Sequence, residues 1–125
     1  MSLYDTNLDK NNANYVPLTP LTFLKRAKEI YPNYEALIYE DRKFTWNQVY
    51  KRTVKFASAL NKIGVRKGDT VSFLAFNTPE IFEGHYSVPM TGAVLNTINI
   101  RLDAKTIAYI LDHSEAKVLV VDRQL

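Results

Sequence analysis

The chain has 125 residues, 46% of them hydrophobic and 23% charged, which suits one modest domain with a real core and argues against global disorder. Its net charge of +3 is mild, which argues against a nucleic-acid partner, and the absence of cysteine excludes disulfides, cysteine-ligated metal and a thiol nucleophile. No apolar run approaches the ~20 residues of a membrane span and no secretory signal core opens the chain, so the expectation is a soluble cytoplasmic protein.

Residues 1–14 are polar, rich in Asn and Asp and without period, and read as a mobile tail ahead of one domain over 15–125. Tyr15-Val16-Pro17-Leu18 reads as an extended strap whose apolar side chains lie on the domain surface, or as a docking arm. Thr19-Pro20 opens a first helix, with Leu21, Leu24 and Ala27 at helical spacing and Pro32 as its stop. Ala36–Tyr39 and Lys43–Thr45 flank a turn-like Glu40-Asp41-Arg42 and predict a β-hairpin. Thr45 then caps a second helix, with Gln48 completing a capping box. Val49, Thr53, Phe56, Leu60 and Ile63 make one apolar stripe along it, while Lys51, Arg52, Lys55 and Lys62 fall largely on the wet side. Gly64 suits the left-handed position after the helix.

The nearly apolar run Val71–Phe76 predicts a strand buried on both faces of a parallel sheet. Thr78-Pro79-Glu80 opens a third helix, which Pro89 kinks or ends. The least polar and least generic stretch is Pro89–Leu102, read as a buried central strand that emerges at the end of the sheet in Asn96, Thr97 and Asn99. Asp103 caps a fourth helix with Ile107, Ile110 and Leu111 as its buried stripe, and Lys117–Asp122 is a last buried strand. A strand with no further element to cover it suggests that the natural protein continues. Strands alternating with helices predict an α/β fold, a mostly parallel sheet flanked by helices.

Chemistry is scarce in these residues. The strand-to-helix turn Phe76–Pro79 is where a doubly wound sheet places a ligand, yet it has no glycine to admit a pyrophosphate. There is no Walker loop and no Gly-x-Ser-x-Gly motif. His85 and His113 have no partner at metal-ligand spacing and read as structural. No catalytic, cofactor-binding or metal-binding residue is therefore assigned.

Four stretches together resemble the start of an adenylate-forming acyl-CoA synthetase of the AMP-binding superfamily. Thr19-Pro20-Leu21-Thr22-Phe23-Leu24 resembles the family's opening helix, and Phe44-Thr45-Trp46-Asn47-Gln48-Val49 its hydrophobic-Thr-Tyr-x-x-Leu/Val motif. Gly68-Asp69-Thr70-Val71 with Asn77-Thr78-Pro79-Glu80 resembles its Gly-Asp-x-Val strand followed by Asn-x-x-Glu. Val88–Leu102 with Ala108-Tyr109-Ile110-Leu111 resembles its Gly-Ala-Val block ending in Asn-x-Arg-Leu, in the branch acting on short- and medium-chain acids, with Ile100 where Pro is often found.

The resemblance implies the first part of the large N-terminal domain of such an enzyme. A carboxylate attacks the α-phosphate of ATP to give acyl-AMP and pyrophosphate, and coenzyme A then displaces AMP. It implies ATP, Mg²⁺, coenzyme A and a small carboxylic acid as ligands of the full-length parent, with a cytoplasmic location, or a peroxisomal one in a eukaryote. The family's Ser/Thr/Gly-rich loop with Lys, its Tyr-Gly-x-Thr-Glu stretch, its ribose-binding Asp and its C-terminal Lys do not occur here. The 125 residues are therefore expected to be inactive alone. Asn96, Thr97, Asn99 and Arg101 are candidates to approach a substrate channel, with pairing to Asp103 as the structural alternative for Arg101. Two other readings stay open: a receiver-like domain using Asp69 or Asp122 with Tyr39-Glu40-Asp41, and a regulator that homodimerises through an uncovered surface.

Overall fold

The structure, a computed structural model, describes Tyr4, Thr6, Asn7 and residues 9–125. Its elements run α1 (Pro20–Ile30), β1 (Glu35–Tyr39), β2 (Arg42–Thr45), α2 (Trp46–Lys62), β3 (Thr70–Leu74), α3 (Pro79–Met90), β4 (Val94–Thr97), α4 (Ala104–His113) and β5 (Ala116–Val121). The expected order of helices, hairpin and strands is the observed one.

Local chemistry accounts for most boundaries. The hairpin β1–β2 turns through Glu40, whose φ of 53° is the left-handed backbone a tight two-residue turn requires. At the start of α2 the Thr45 hydroxyl accepts from the Gln48 backbone N–H at 3.3 Å, and the Gln48 side chain accepts from the Thr45 N–H at 2.8 Å. Gly64 follows α2 at φ 98°, open to glycine and strained for other residues. Pro89 does not kink α3 midway: it stands one residue before the end, and the helix stops directly after it at Met90.

The second sheet is parallel, in the order β4-β3-β5. Val71 and Phe73 of β3 point to one face, where they pack with Leu60 of α2, Val88 of α3, Val65 and Ala93. Ser72 points to the other face, where Asn96 donates one hydrogen bond to its Oγ at 3.0 Å and another to Ser114 Oγ at 3.2 Å, at the end of α4.

Several expectations need correction. The central strand is β3; β4, expected there, is an edge strand with Val94 and Thr97 exposed. β5 is also an edge and alternates half-buried with exposed residues, so it is not buried on both faces. Strand β3 stops at Leu74 and not Phe76, since the ladder closes with Ile98 N–H to Phe73 O and Asp122 N–H to Leu74 O. Ile63 leaves the α2 stripe as the helix ends and is 66% exposed. The α4 stripe is only half-buried. The strap Tyr15–Leu18 lays nothing down: Val16 and Leu18 are exposed. Of the expected tail, residues 1–3, 5 and 8 lie outside the described residues, while Asn11–Asn14 form a turn in which Asn11 Oδ1 accepts from the Ala13 and Asn14 N–H groups.

Asp103 caps α4 as expected. Its carboxylate accepts from the Thr106 hydroxyl at 2.6 Å and from the Thr106 N–H at 3.1 Å. The Thr106 hydroxyl first, then its N–H, hold the carboxyl below its ordinary value of 3.8. A pKa lower in the folded than in the unfolded chain stabilises above the ordinary value, and that contribution is lost as pH falls through the lowered one. The Thr106 amide resonance is therefore expected to titrate with a midpoint below 3.8, and a midpoint at or above it would refute the cap.

Candidate functional site

Because β3 and β4 are parallel and in register, their C-terminal ends emerge side by side. The chain leaving β3 at Ala75–Asn77 and the chain leaving β4 at Ile98–Arg101 form the two walls of a cleft of about 880 Å³. Ligands in open α/β sheets bind beyond the carboxyl ends of strands, so the location fits a site. One wall is held by a tight turn, Thr78 N–H to Phe76 O at 2.8 Å. The other is held by Asn99, whose side-chain oxygen accepts from the Arg101 N–H at 3.0 Å. Ile98, 5% exposed, anchors this second wall from beneath.

Of the four candidate residues, the structure brings three together. Thr97, Asn99 and Arg101 line the cleft. Asn96 does not; its amide is spent on Ser72 and Ser114 on the far face of the sheet. Arg101 forms no ion pair among the described residues, and Asp103 is engaged by Thr106, so the alternative pairing is not made. The Phe76–Asn77 wall belongs to the turn that the strand-to-helix pattern had already marked, although it lacks a glycine.

The residues present do not fit Mg²⁺. Among the described residues no three His, Asp or Glu side chains are grouped to hold a metal ion. Asp69 opens β3 whereas Asp122 follows β5, and although Glu40 and Asp122 line one cleft, no acidic group able to hold a metal ion as a receiver does is assembled among the described residues. A second, apolar cleft of about 600 Å³ lies between the hairpin and α3, near Ile38, Phe82 and His85, and holds none of the candidate residues. His85 Nδ1 there sits 2.8 Å from the Ile81 carbonyl oxygen, a local helix contact.

Sequence reasoning missed a charged clasp that joins α2 and the hairpin to α3. Arg52 of α2 meets Glu83 of α3 through Nε–Oε1 and through Nη2–Oε2, the latter at 3.1 Å. Arg42 of β2 donates to Glu80 at 2.6 Å, and both guanidinium groups lie over the Phe44 ring, at 5.2 and 4.9 Å from its centre. Burial pushes the Glu80 carboxyl up, but hydrogen bonding from Arg42 and its neighbours outweighs this and leaves it below the ordinary carboxylate value. The clasp fixes the first turns of α3, directly after the Phe76–Asn77 wall. The available signal was Glu83 itself, an acid amid the apolar residues Ile81, Phe82 and Tyr86.

Comparison with known proteins extends this picture. The chain is 57% identical over 116 residues to a peroxisomal butyrate–CoA ligase of Arabidopsis thaliana, covering 93% of this chain and 20% of that protein. It is 57% identical over 115 residues to a peroxisomal trans-cinnamate:CoA ligase of Petunia hybrida, covering 92% and 20%. It thus spans about a fifth of the length of these relatives. Among solved structures, an anthranilate CoA ligase in complex with anthranoyl-AMP superposes with a TM-score of 0.80 at 30% identity, over 83% of this chain and 20% of that one. The O-succinylbenzoate coenzyme A synthetase of Bacillus subtilis in complex with AMP gives 0.78 at 26% identity, over 82% and 27%. The parallel sheet with helices on its faces is thus the beginning of a fold seen in adenylate-forming enzymes. The profile of the AMP-binding enzyme family matches residues 24–125, from the middle of α1 to Leu125, and the chain belongs to that family.

Proposed function

We propose that this chain is the N-terminal part of an ATP-dependent acyl-CoA synthetase. The parent joins a short- or medium-chain carboxylic acid to AMP with release of pyrophosphate, then passes the acyl group to coenzyme A. The observation that carries the reading is the 57% identity to two CoA ligases across nearly the whole chain. In this reading Thr97, Asn99 and Arg101 stand along the substrate channel, and Asn96 supports their strand from behind. ATP, Mg²⁺ and coenzyme A bind through other parts of the parent, since the family's Ser/Thr/Gly-rich loop with Lys does not occur in these residues. The peroxisomal location of both plant relatives supports the same location for the parent over a cytoplasmic one. Homodimerisation through the open sheet edges β4 and β5 belongs to the same proposal, and light scattering reads it.

Pyrophosphate release tests the central claim. The 125-residue chain incubated with ATP, Mg²⁺ and butyrate is expected to give no acyl-AMP and no pyrophosphate above the protein-free rate. The natural polypeptide containing it is expected to release pyrophosphate with acids such as acetate and butyrate, with benzoate and cinnamate included as aromatic comparisons. Turnover by the short chain would overturn its inactivity; no turnover by the longer one with any of these acids would overturn the ligase reading.

A further inference from the structure

The positive charge of this chain is gathered in one place. From Trp46 to Lys67 the sequence holds six cations and no acid. Residues 20–68 carry a net +7 and residues 69–125 a net −3. Such asymmetry between halves points to an anionic partner.

The structure sorts the cations of this region by role. Arg52 turns inward to Glu83. Lys51, Lys55 and Lys62 stand on the exposed side of α2. At i, i+4 and i+11 they fall within about 40° of one another around the axis, in a stripe ~16 Å long. Lys28 of α1 stands against the neighbouring flank of α2, with its ammonium 5.6 Å from the ring centre of Tyr50. None of these four lysines has an ion pair among the described residues. Lys51 and Lys55 lie ~6 Å apart along the axis, inside the ~8 Å screening length of physiological salt, and Lys62 lies ~10 Å further along the same line, so an extended anionic surface meets all three.

Two features choose between anionic surfaces. The stripe is lysine, a compact point charge that needs no planar bidentate acceptor, whereas Arg42 and Arg52 are spent inside the fold. Val54 and Ile63 beside the stripe are 39% and 66% exposed. Apolar side chains flanking lysines gain at the boundary between headgroups and acyl chains and gain nothing from a nucleic-acid backbone. We propose that this face of α2, with Lys28, docks on a membrane surface that carries anionic phospholipid headgroups. The inference does not depend on the ligase reading.

The test is co-sedimentation of the full chain with vesicles of phosphatidylcholine alone or mixed with phosphatidylserine, at low and physiological salt. Binding is expected to the mixed vesicles only, weakening as salt rises. Each lysine near such a surface is worth roughly a fivefold gain in affinity. The triple variant Lys51→Gln, Lys55→Gln, Lys62→Gln is therefore expected to bind on the order of a hundredfold more weakly. These side chains are exposed, so its circular dichroism is expected to match that of the parent chain. Millimolar glycerophosphoserine is expected not to release the chain, since one soluble headgroup meets one lysine at a time. Equal binding to neutral vesicles, no binding at low salt, an unaffected triple variant, release by glycerophosphoserine, or tighter binding to duplex DNA than to mixed vesicles would each overturn the proposal.

Discussion

Arg52→Ala is expected to destabilise the chain by about 3 kcal/mol, the lower end for breaking a buried ion pair from one side. The partners are unequally placed: the Glu83 side chain is 6% exposed and the Arg52 side chain 39%. Removing the arginine leaves a carboxylate with almost no access to water, so the cost is dominated by a buried charge without a counterion. The variant also loses the stacking of Arg52 on Phe44 and its 3.5 Å contact with Glu80. Urea unfolding followed by circular dichroism gives the number. A loss under about 1 kcal/mol, typical of exposed pairs, would show that solvent compensates Glu83 and that the clasp is weak. Arg52→Ala with Glu83→Ala closes a double-mutant cycle, and the pair is expected to cost less than the sum of the single changes.

Phe73→Ala is expected to cost about 3–5 kcal/mol, the range for removing a buried aromatic side chain. The ring is 1% exposed and meets Phe56 edge-on, with centres 6.0 Å apart at 75°. The Cζ end of the ring also abuts Gly84 of α3: a methyl group built there would stand 2.8 Å from Phe73 Cζ. Gly84→Ala therefore sets two effects against each other. Alanine favours a helix interior over glycine by about 1 kcal/mol, while forcing an atom into a closed core costs about 1–3 kcal/mol. Since the obstructing atoms belong to a buried ring, the clash is expected to win and Gly84→Ala to destabilise. Adding Phe73→Leu is expected to relieve part of that loss, which the same unfolding measurement detects; a stabilised Gly84→Ala would show that the ring yields.

The elements that were legible in the sequence are those that local chemistry decides. Thr45 with Gln48, Asp103 before α4 and Gly64 after α2 each satisfy backbone groups within a few residues, so their signals survive without the fold. Burial was read less well, because it depends on what lies across from an element. Val94-Leu95 and Val118-Leu119-Val120 are as apolar as a central strand, yet only β3 has neighbours on both sides. Strand order is set by which crossover lands where, and no single segment encodes it. The candidate site divided in the same way. The end of an apolar run singles out Thr97, Asn99 and Arg101, which line one cleft, but the alternation that turns Asn96 to the opposite face appears only once the register with Ser72 is fixed. The Arg52–Glu83 pair spans 31 positions, beyond any local pattern.

Placing β3 in the middle has a consequence for synthesis on the ribosome. Each partner of β3 emerges after it: Val94 opens β4 and Ala116 opens β5, while β3 is complete at Leu74. At translation speeds of ~5–20 residues per second, β3 waits roughly one to four seconds before any of β4 exists. During that interval α2 is already available to shelter Phe73 and Val71 on one side, but both edges of the nascent strand stand unpaired. Agents that seize such edges, whether a chaperone or another nascent chain, therefore meet this protein at β3 before the native sheet can close around it.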